Sequence, residues 1–102
     1  MEIKHADKNS FDELTSKGLV VVDFFANWCG PCKMLGAEME QISDRDDFSI
    51  VKVNVDDEED LARKFGVMSI PAVFIFKDGK MVDQKVGFMS RDDLLSWVDS
   101  NK

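Results

Sequence analysis

The residues best suited to do chemistry in this chain are its two cysteines, Cys29 and Cys32. They directly follow the apolar run from Leu19 to Phe25 and are separated by Gly30 and Pro31. A cysteine between the end of a strand and the start of a helix meets unpaired backbone N–H groups and the positive end of the helix dipole, which favour thiolate over thiol. Pro31 suits the first helical turn, and Gly30 leaves one side of Cys29 open. We therefore expect a redox-active pair in which Cys29 is exposed and Cys32 is more buried.

A structural role for the two cysteines is the weaker interpretation. Closing so short a loop with a disulfide gives only about 2 kcal/mol in the loop-closure model, before strain is subtracted. A zinc or iron–sulfur site needs four ligands, and the chain offers two cysteines and one histidine. A cluster bridged between two chains stays open as an alternative.

Composition bounds the class of protein. The chain has 102 residues, which fits one domain spanning 1–102, and 44% hydrophobic with 32% charged residues is typical of a globular protein. The net charge of −7 argues against nucleic-acid binding, and no apolar run reaches the roughly 20 residues of a membrane span. The segment Met1 to Lys8 lacks the apolar stretch of a secretory signal. We expect a cytoplasmic monomer without a nucleic-acid or membrane partner.

The elements around the cysteines follow from local patterns. Ser10 to Glu13 predicts a capping box that opens a first helix from Phe11 to Lys17. The run from Leu19 to Phe25 predicts a strand buried on both faces, and alternation predicts another from Ile50 to Val55. Between them, a helix that follows the cysteines carries an apolar stripe formed by Leu35, Met39 and Ile42.

The second half of the chain predicts a helix, a hairpin and a closing helix. The acidic stretch Asp56 to Asp60 leads into a helix with acids at its start, bases at its end and Gly66 just beyond, so the charges complement the helix dipole. Asp78 and Gly79 join two apolar runs, 72–76 and 81–86, as a hairpin. Ser90 caps a last helix. Strands linked by helices and followed by a hairpin predict an α/β domain with a mixed sheet and helices on both faces.

One residue of the first long strand is unusual. Asp23 is a lone carboxyl in an otherwise apolar run, so burial is expected to raise its pKa and to let it exchange protons near neutral pH. Lys52 lies on the neighbouring predicted strand and is the expected charge partner. A purely structural Asp23, satisfied by Lys52 or water, is the alternative.

Several motifs, in order along nearly the whole chain, resemble the thioredoxin family. They are the segment from Val22 to Lys33 with its C-x-x-C motif, then Ser69-Ile70-Pro71-Ala72, then Lys77-Asp78-Gly79, and finally Val86-Gly87. The resemblance implies the thioredoxin fold, a central mixed five-stranded sheet flanked by four helices. The chain departs from the family at Phe25, where a tryptophan is common, and at Ala37, where a proline kinks the second helix; we expect a straighter helix here.

The resemblance also implies an activity and a role for each site residue. The chain is expected to be a thiol:disulfide oxidoreductase that reduces client proteins through a reversible dithiol/disulfide and contributes to cell redox homeostasis. Cys29 would be the nucleophile, Cys32 the resolving thiol and Asp23 the proton relay tuned by Lys52. Pro71 would be a cis-proline beside the cysteines, with the backbone of Ser69 and Ile70 free to pair with an extended client. The expected apolar docking rim consists of Trp28, Ile70, Pro71, Val86 and Gly87.

The implied partners are thioredoxin reductase, a flavoprotein that uses NADPH, and disulfide-containing client proteins. No metal or bound organic cofactor is expected. Two alternatives stay open from the sequence: a disulfide isomerase or oxidant, which differs in redox potential, and a binding module in which the cysteines are incidental.

Overall fold

All five strands of the chain form one mixed sheet in the computed structural model, which describes residues 1–102. The strand order is β1-β3-β2-β4-β5, with β1, β3 and β2 parallel and with β4 and β5 antiparallel to their neighbours. The strands are β1 Lys4–His5, β2 Leu19–Phe25, β3 Ser49–Asn54, β4 Ala72–Lys77 and β5 Lys80–Val86, and the helices are α1 Phe11–Leu14, α2 Gly30–Gln41, α3 Glu59–Lys64 and α4 Arg91–Ser100. The predicted thioredoxin fold, with five strands and four helices, is confirmed.

Alternation along the central strand β2 separates two apolar cores. Val21 faces a core formed with α2 and α4, which includes Leu35 and Leu94, whereas Val20 and Val22 face a second core with α1 and α3. Successive side chains of a strand point to opposite faces, so a strand covered by helices on both sides is apolar throughout. Asp23 is the exception in β2, and it points to the same face as Val21, towards α2.

Helix α1 differs from the prediction in its cap and its length. The Ser10 side chain makes no capping bond to this helix, and α1 ends at Leu14 rather than at Lys17. Instead, Asp7 Oδ1 accepts the backbone N–H of Ser10 at 2.9 Å, and the Ser10 hydroxyl accepts the N–H of Asp7 at 3.0 Å. The reciprocal box therefore lies three residues earlier, because Asp7 accepts the Ser10 N–H that Glu13 was predicted to accept.

Other turn and cap predictions are confirmed. Asp78 and Gly79 have φ values of 51° and 88° in the β4–β5 hairpin, and the Ser90 side chain accepts the Asp93 N–H at 3.2 Å at the start of α4. Helix α2 continues without interruption through Ala37 to Gln41. None of the four helices combines the length and the apolar character that a membrane crossing requires.

Candidate active site

Cys29 and Cys32 form a disulfide at the start of α2, with Cα atoms 5.2 Å apart. Cys29 is the N-cap residue with an extended backbone, and its Sγ accepts the backbone N–H of Cys32 at 3.2 Å. Pro31 occupies the first turn, where its missing N–H breaks no helical bond. In the reduced protein the same N–H group and the helix dipole stabilise negative charge on the Cys29 sulfur.

Both cysteines are largely buried, so the prediction of an exposed Cys29 is wrong. Cys29 is 6% exposed and Cys32 is 2% exposed, and they pack with Ala26 against Phe25, Val55 and Ile70. The Cys29 sulfur faces the loop that precedes β4, where it lies 3.9 Å from the carbonyl oxygen of Ile70. Cys29 is still the more exposed of the two cysteines, as predicted. The space beside Gly30 is open, since an added Cβ there would meet no atom within 4 Å.

Asp23 lies fully buried beneath this site. Its register partner on β3 is Lys52, whose Nζ lies 3.6 Å from Asp23 Oδ2, and neither carboxylate oxygen has a hydrogen-bond partner. Burial raises the pKa of Asp23 to about 6, while the nearby Lys52 charge opposes that rise. The predicted direction of the pKa change and the predicted placement of Lys52 are confirmed.

A cleft of about 280 Å³ connects Cys32 with Lys52. Its lining also includes Lys33, Gly36 and Glu40 of α2, which the sequence interpretation did not single out. Helical spacing could have identified two of these residues. Gly36 lies four residues after Cys32 and Glu40 four residues after Gly36, so Cys32, Gly36 and Glu40 share one face of α2.

The segment before β4 faces the disulfide with free backbone groups. The Ile70–Pro71 peptide bond is cis, as predicted, and Pro71 is buried. Neither Ser69 nor Ile70 takes part in a backbone–backbone hydrogen bond. Gly87, at the end of β5 with a φ of 100°, donates its N–H to the Pro71 carbonyl at 2.8 Å, which brings Val86 and Gly87 to this side of the site.

Exposed apolar side chains surround the disulfide. Trp28 is 70% exposed and Val86 is also exposed, so Trp28 lies on the rim and not in the core. An apolar pocket of about 180 Å³ lies beside Trp28, and Met68, at 95% exposure, forms part of its wall. Its lining consists of Trp28, Val55, Ala62, Val67, Met68 and Ile70. The structure thus brings every predicted site residue to one end of the sheet or directly beneath it.

A hydrogen bond that the sequence interpretation missed fixes the Trp28 ring. Trp28 Nε1 donates to Asp56 Oδ2 at 2.9 Å, whereas the prediction assigned the acidic stretch mainly to its own helix. The strands β2 and β3 are parallel, so the residues that follow them meet at the same sheet edge. That topology was the signal that could have placed Asp56 next to Trp28.

Comparison with known proteins agrees with this geometry. The thioredoxin family profile matches residues 2–100. The chain is 42% identical to a thioredoxin of Bacillus subtilis (strain 168) over 103 residues, 99% of each chain, and 44% identical to a thioredoxin of Mycoplasmoides gallisepticum over 95 residues, 90% of this chain and 95% of that one. A solved thioredoxin variant from Halobacterium salinarum NRC-1 superposes with a TM-score of 0.91 at 34% identity, covering 97% of this chain and 89% of the other. With the disulfide at the start of α2, these matches show that the chain belongs to the thioredoxin family of protein-disulfide oxidoreductases.

Proposed function

We propose that this oxidoreductase works as a general reductant of protein disulfides, with Cys29 as nucleophile and Cys32 as resolving thiol. The observation that carries the proposal is the position of the Cys29 sulfur. It caps a helix of twelve residues and lies 3.9 Å from the carbonyl oxygen of Ile70, in a segment where neither Ser69 nor Ile70 makes a backbone–backbone hydrogen bond. A sulfur in this position is activated by the helix and lies next to groups that can hold an extended peptide.

In the first step, the Cys29 thiolate attacks one sulfur of a client disulfide. A bond forms between Cys29 and that sulfur, the client S–S bond breaks, and the other client sulfur leaves as a thiolate that takes a proton from water. The helix start favours this step because the Cys32 N–H and the helix dipole stabilise the thiolate before attack. The product is a mixed disulfide.

In the second step, Cys32 loses its proton and attacks Cys29. The Cys29–Cys32 disulfide forms, the bond from Cys29 to the client breaks, and the client leaves with both electrons of the dithiol and a second proton from solvent. We assign the uptake of the Cys32 proton to Asp23. A pKa of about 6 keeps this carboxyl able to gain and lose a proton near neutral pH, and Lys52 links it to the cleft that Cys32 lines.

The docking surface proposed for clients combines free backbone with apolar side chains. Ser69 and Ile70 supply unpaired backbone groups, which accept different sequences because every peptide presents the same N–H and C=O groups. Trp28, Pro71, Val86 and Gly87 border them and exclude water. This surface matches a broad range of clients rather than one partner.

The proposed redox cycle also needs a source of electrons and a reducing compartment. Once oxidised, the Cys29–Cys32 pair must be reduced by a dithiol, which we assign to thioredoxin reductase. A cycle of this kind fits the cytoplasm, where thiols are kept reduced.

The test is a reductase-coupled insulin reduction assay with single cysteine variants. The wild-type protein should turn over, whereas Cys29→Ser should neither turn over nor form a mixed disulfide. Cys32→Ser should accumulate about one equivalent of a client linked to Cys29, visible by mass spectrometry, because the resolving thiol is missing. Retained turnover in both variants would show that reduction does not depend on these two cysteines and would contradict the assigned roles. No turnover by the wild type would contradict the reductant role and favour a binding module.

A further inference from the structure

Lys52 lies between a carboxylate and an aromatic ring. Its Nζ is 3.6 Å from Asp23 Oδ2 and 4.5 Å from the centroid of the Phe25 ring. Asp23 and Phe25 are two residues apart on β2, so their side chains project from the same face towards Lys52 of β3. An ammonium group at this distance is attracted by the negative face of an aromatic ring.

Helix α2 leaves space for this ammonium group. Gly36 lies above Lys52, and a Cβ added there would be 3.1 Å from Nζ. The Lys52 side chain is only 15% exposed, because the Phe25 ring and helix α2 cover most of it. Asp23, Phe25 and Gly36 therefore form a seat for one cation.

We propose that Phe25 is a positioning residue whose ring holds the Lys52 ammonium beside the Asp23 carboxylate and so tunes the proton transfer that frees Cys32 to attack. The inference rests on the proton-relay role proposed above for Asp23. Loss of the ring face would let the flexible Lys52 side chain turn towards the open cleft. Asp23 would then lose the positive charge beside it and hold its proton to higher pH.

Other charged or titratable groups surround this seat, and they also contribute to any pH dependence that is measured for Asp23. From α2, Lys33, Glu40 and Cys32 line the same cleft as Lys52. From β1, His5 is the register partner of Lys52, and its ring centroid lies 6.0 Å from that of Phe25. All of these groups are kept in the variants below.

The decisive measurement is the titration midpoint of the Asp23 carboxyl carbon, followed by NMR in the oxidised protein. Phe25→Leu should raise the midpoint above that of the wild type by about half a pH unit or more, because it removes the ring face and keeps an apolar side chain. Phe25→Trp should preserve the wild-type midpoint, since tryptophan offers the strongest ring face. The rate at which the mixed disulfide is resolved should show the same displacement along the pH axis.

Lys52→Met provides the matched control. In that background Phe25→Leu should cause no further rise, since the ring then has no cation to hold. A midpoint that moves with Lys52→Met but not with Phe25→Leu would overturn the proposal. So would a fall of the midpoint in Phe25→Leu, which would mean that the ring acts by keeping water away from Asp23.

Two further readouts keep the result interpretable. If Phe25→Leu does not fold, Phe25→pentafluorophenylalanine keeps the shape of the ring but removes its negative face, and it should raise the midpoint in the same way. The proton-relay role is tested separately by Asp23→Asn: unchanged resolution of the mixed disulfide from pH 6 to 9 would refute that role, whereas the NMR midpoint of Asp23 tests the seat itself.

Discussion

At the scale of single residues, the burial of Asp23 lowers the stability of the fold but gives the carboxyl the pKa that proton transfer needs. It is fully buried in an apolar core, and both of its oxygens lack hydrogen-bond partners. Burying a carboxylate in this way is unfavourable, and the Lys52 ammonium at 3.6 Å offsets only part of the cost. The same burial brings the pKa of Asp23 to about 6, which is the property a proton carrier needs near neutral pH.

This conflict predicts how stability depends on pH. Because the folded protein holds the Asp23 proton more tightly than the unfolded chain does, the stabilising effect is complete below about pH 4 and is lost as the pH rises through about 6. The difference in unfolding free energy between Asp23→Asn and wild type should therefore shift in favour of the variant by about 2–3 kcal/mol from pH 4 to pH 7. Urea unfolding of both proteins at several pH values measures it.

Comparing the two proteins at each pH cancels the surface carboxylates. Asp47, for example, has a lowered pKa beside Arg45 and Lys102, and it gives both proteins the opposite slope with pH. A difference that stays constant from pH 4 to 7 would show that Asp23 titrates alike in the folded and unfolded chain.

At the scale of elements, the sequence was informative wherever the pattern was local. The bounds of β2 were predicted correctly because a continuous apolar run identifies a buried strand. β1 was not visible, since Lys4 and His5 are exposed and polar; pairing with β3 alone makes them a strand. For α1, the sequence predicted a capping box at Ser10 to Glu13, whereas the hydrogen bonds pair Ser10 with Asp7 instead.

The hairpin between β4 and β5 is an element whose turn chemistry can be tested. Gly79 has a φ of 88°, and the turn is tied to the start of β2 by two 2.9 Å hydrogen bonds between Asp78 and Gly18. Gly79→Ala should lower the free energy of unfolding by about 1–2 kcal/mol, because a Cβ disfavours this left-handed conformation.

Denaturant midpoints measure this effect, and Gly30→Ala is the matched control for it. Gly30 has no positive φ, and an added Cβ there would contact nothing within 4 Å. That control should lose little or no stability. Equal losses in the two variants would show that backbone conformation at Gly79 is not the cause.

At the scale of the whole molecule, the site exists because distant segments meet at one end of the sheet. Cys29, Ile70 and Gly87 come from three separate parts of the chain, and no local pattern places them together. The sequence alone predicted the cysteines and Asp23, whereas the resemblance supplied the cis-proline loop and the rim. The approach of Gly36 to Lys52 was not predictable, since it depends on how closely α2 packs on β3.

The net charge of the molecule should make the rate of association differ between positively and negatively charged clients. The chain carries a charge of −7, and its acidic stretch 56–60 begins at the residue that holds the Trp28 ring. A positive client is attracted by this field and a negative one is repelled, so association rates should differ at low salt and converge at high salt. The comparison needs oxidised peptides that are identical except for lysine, glutamine or glutamate beside the disulfide.

Stopped-flow reduction of these peptides at about 0.01 M and about 1 M salt tests the effect, since the screening length falls from about 30 Å to about 3 Å over that range. At low salt the lysine peptide should react about tenfold or more faster than the glutamate peptide. Salt should slow the former, speed the latter and leave the glutamine peptide nearly unchanged. Equal rates at low salt would mean that the apolar rim and the free backbone govern encounter, and that the negative field of the molecule does not reach the reacting sulfur.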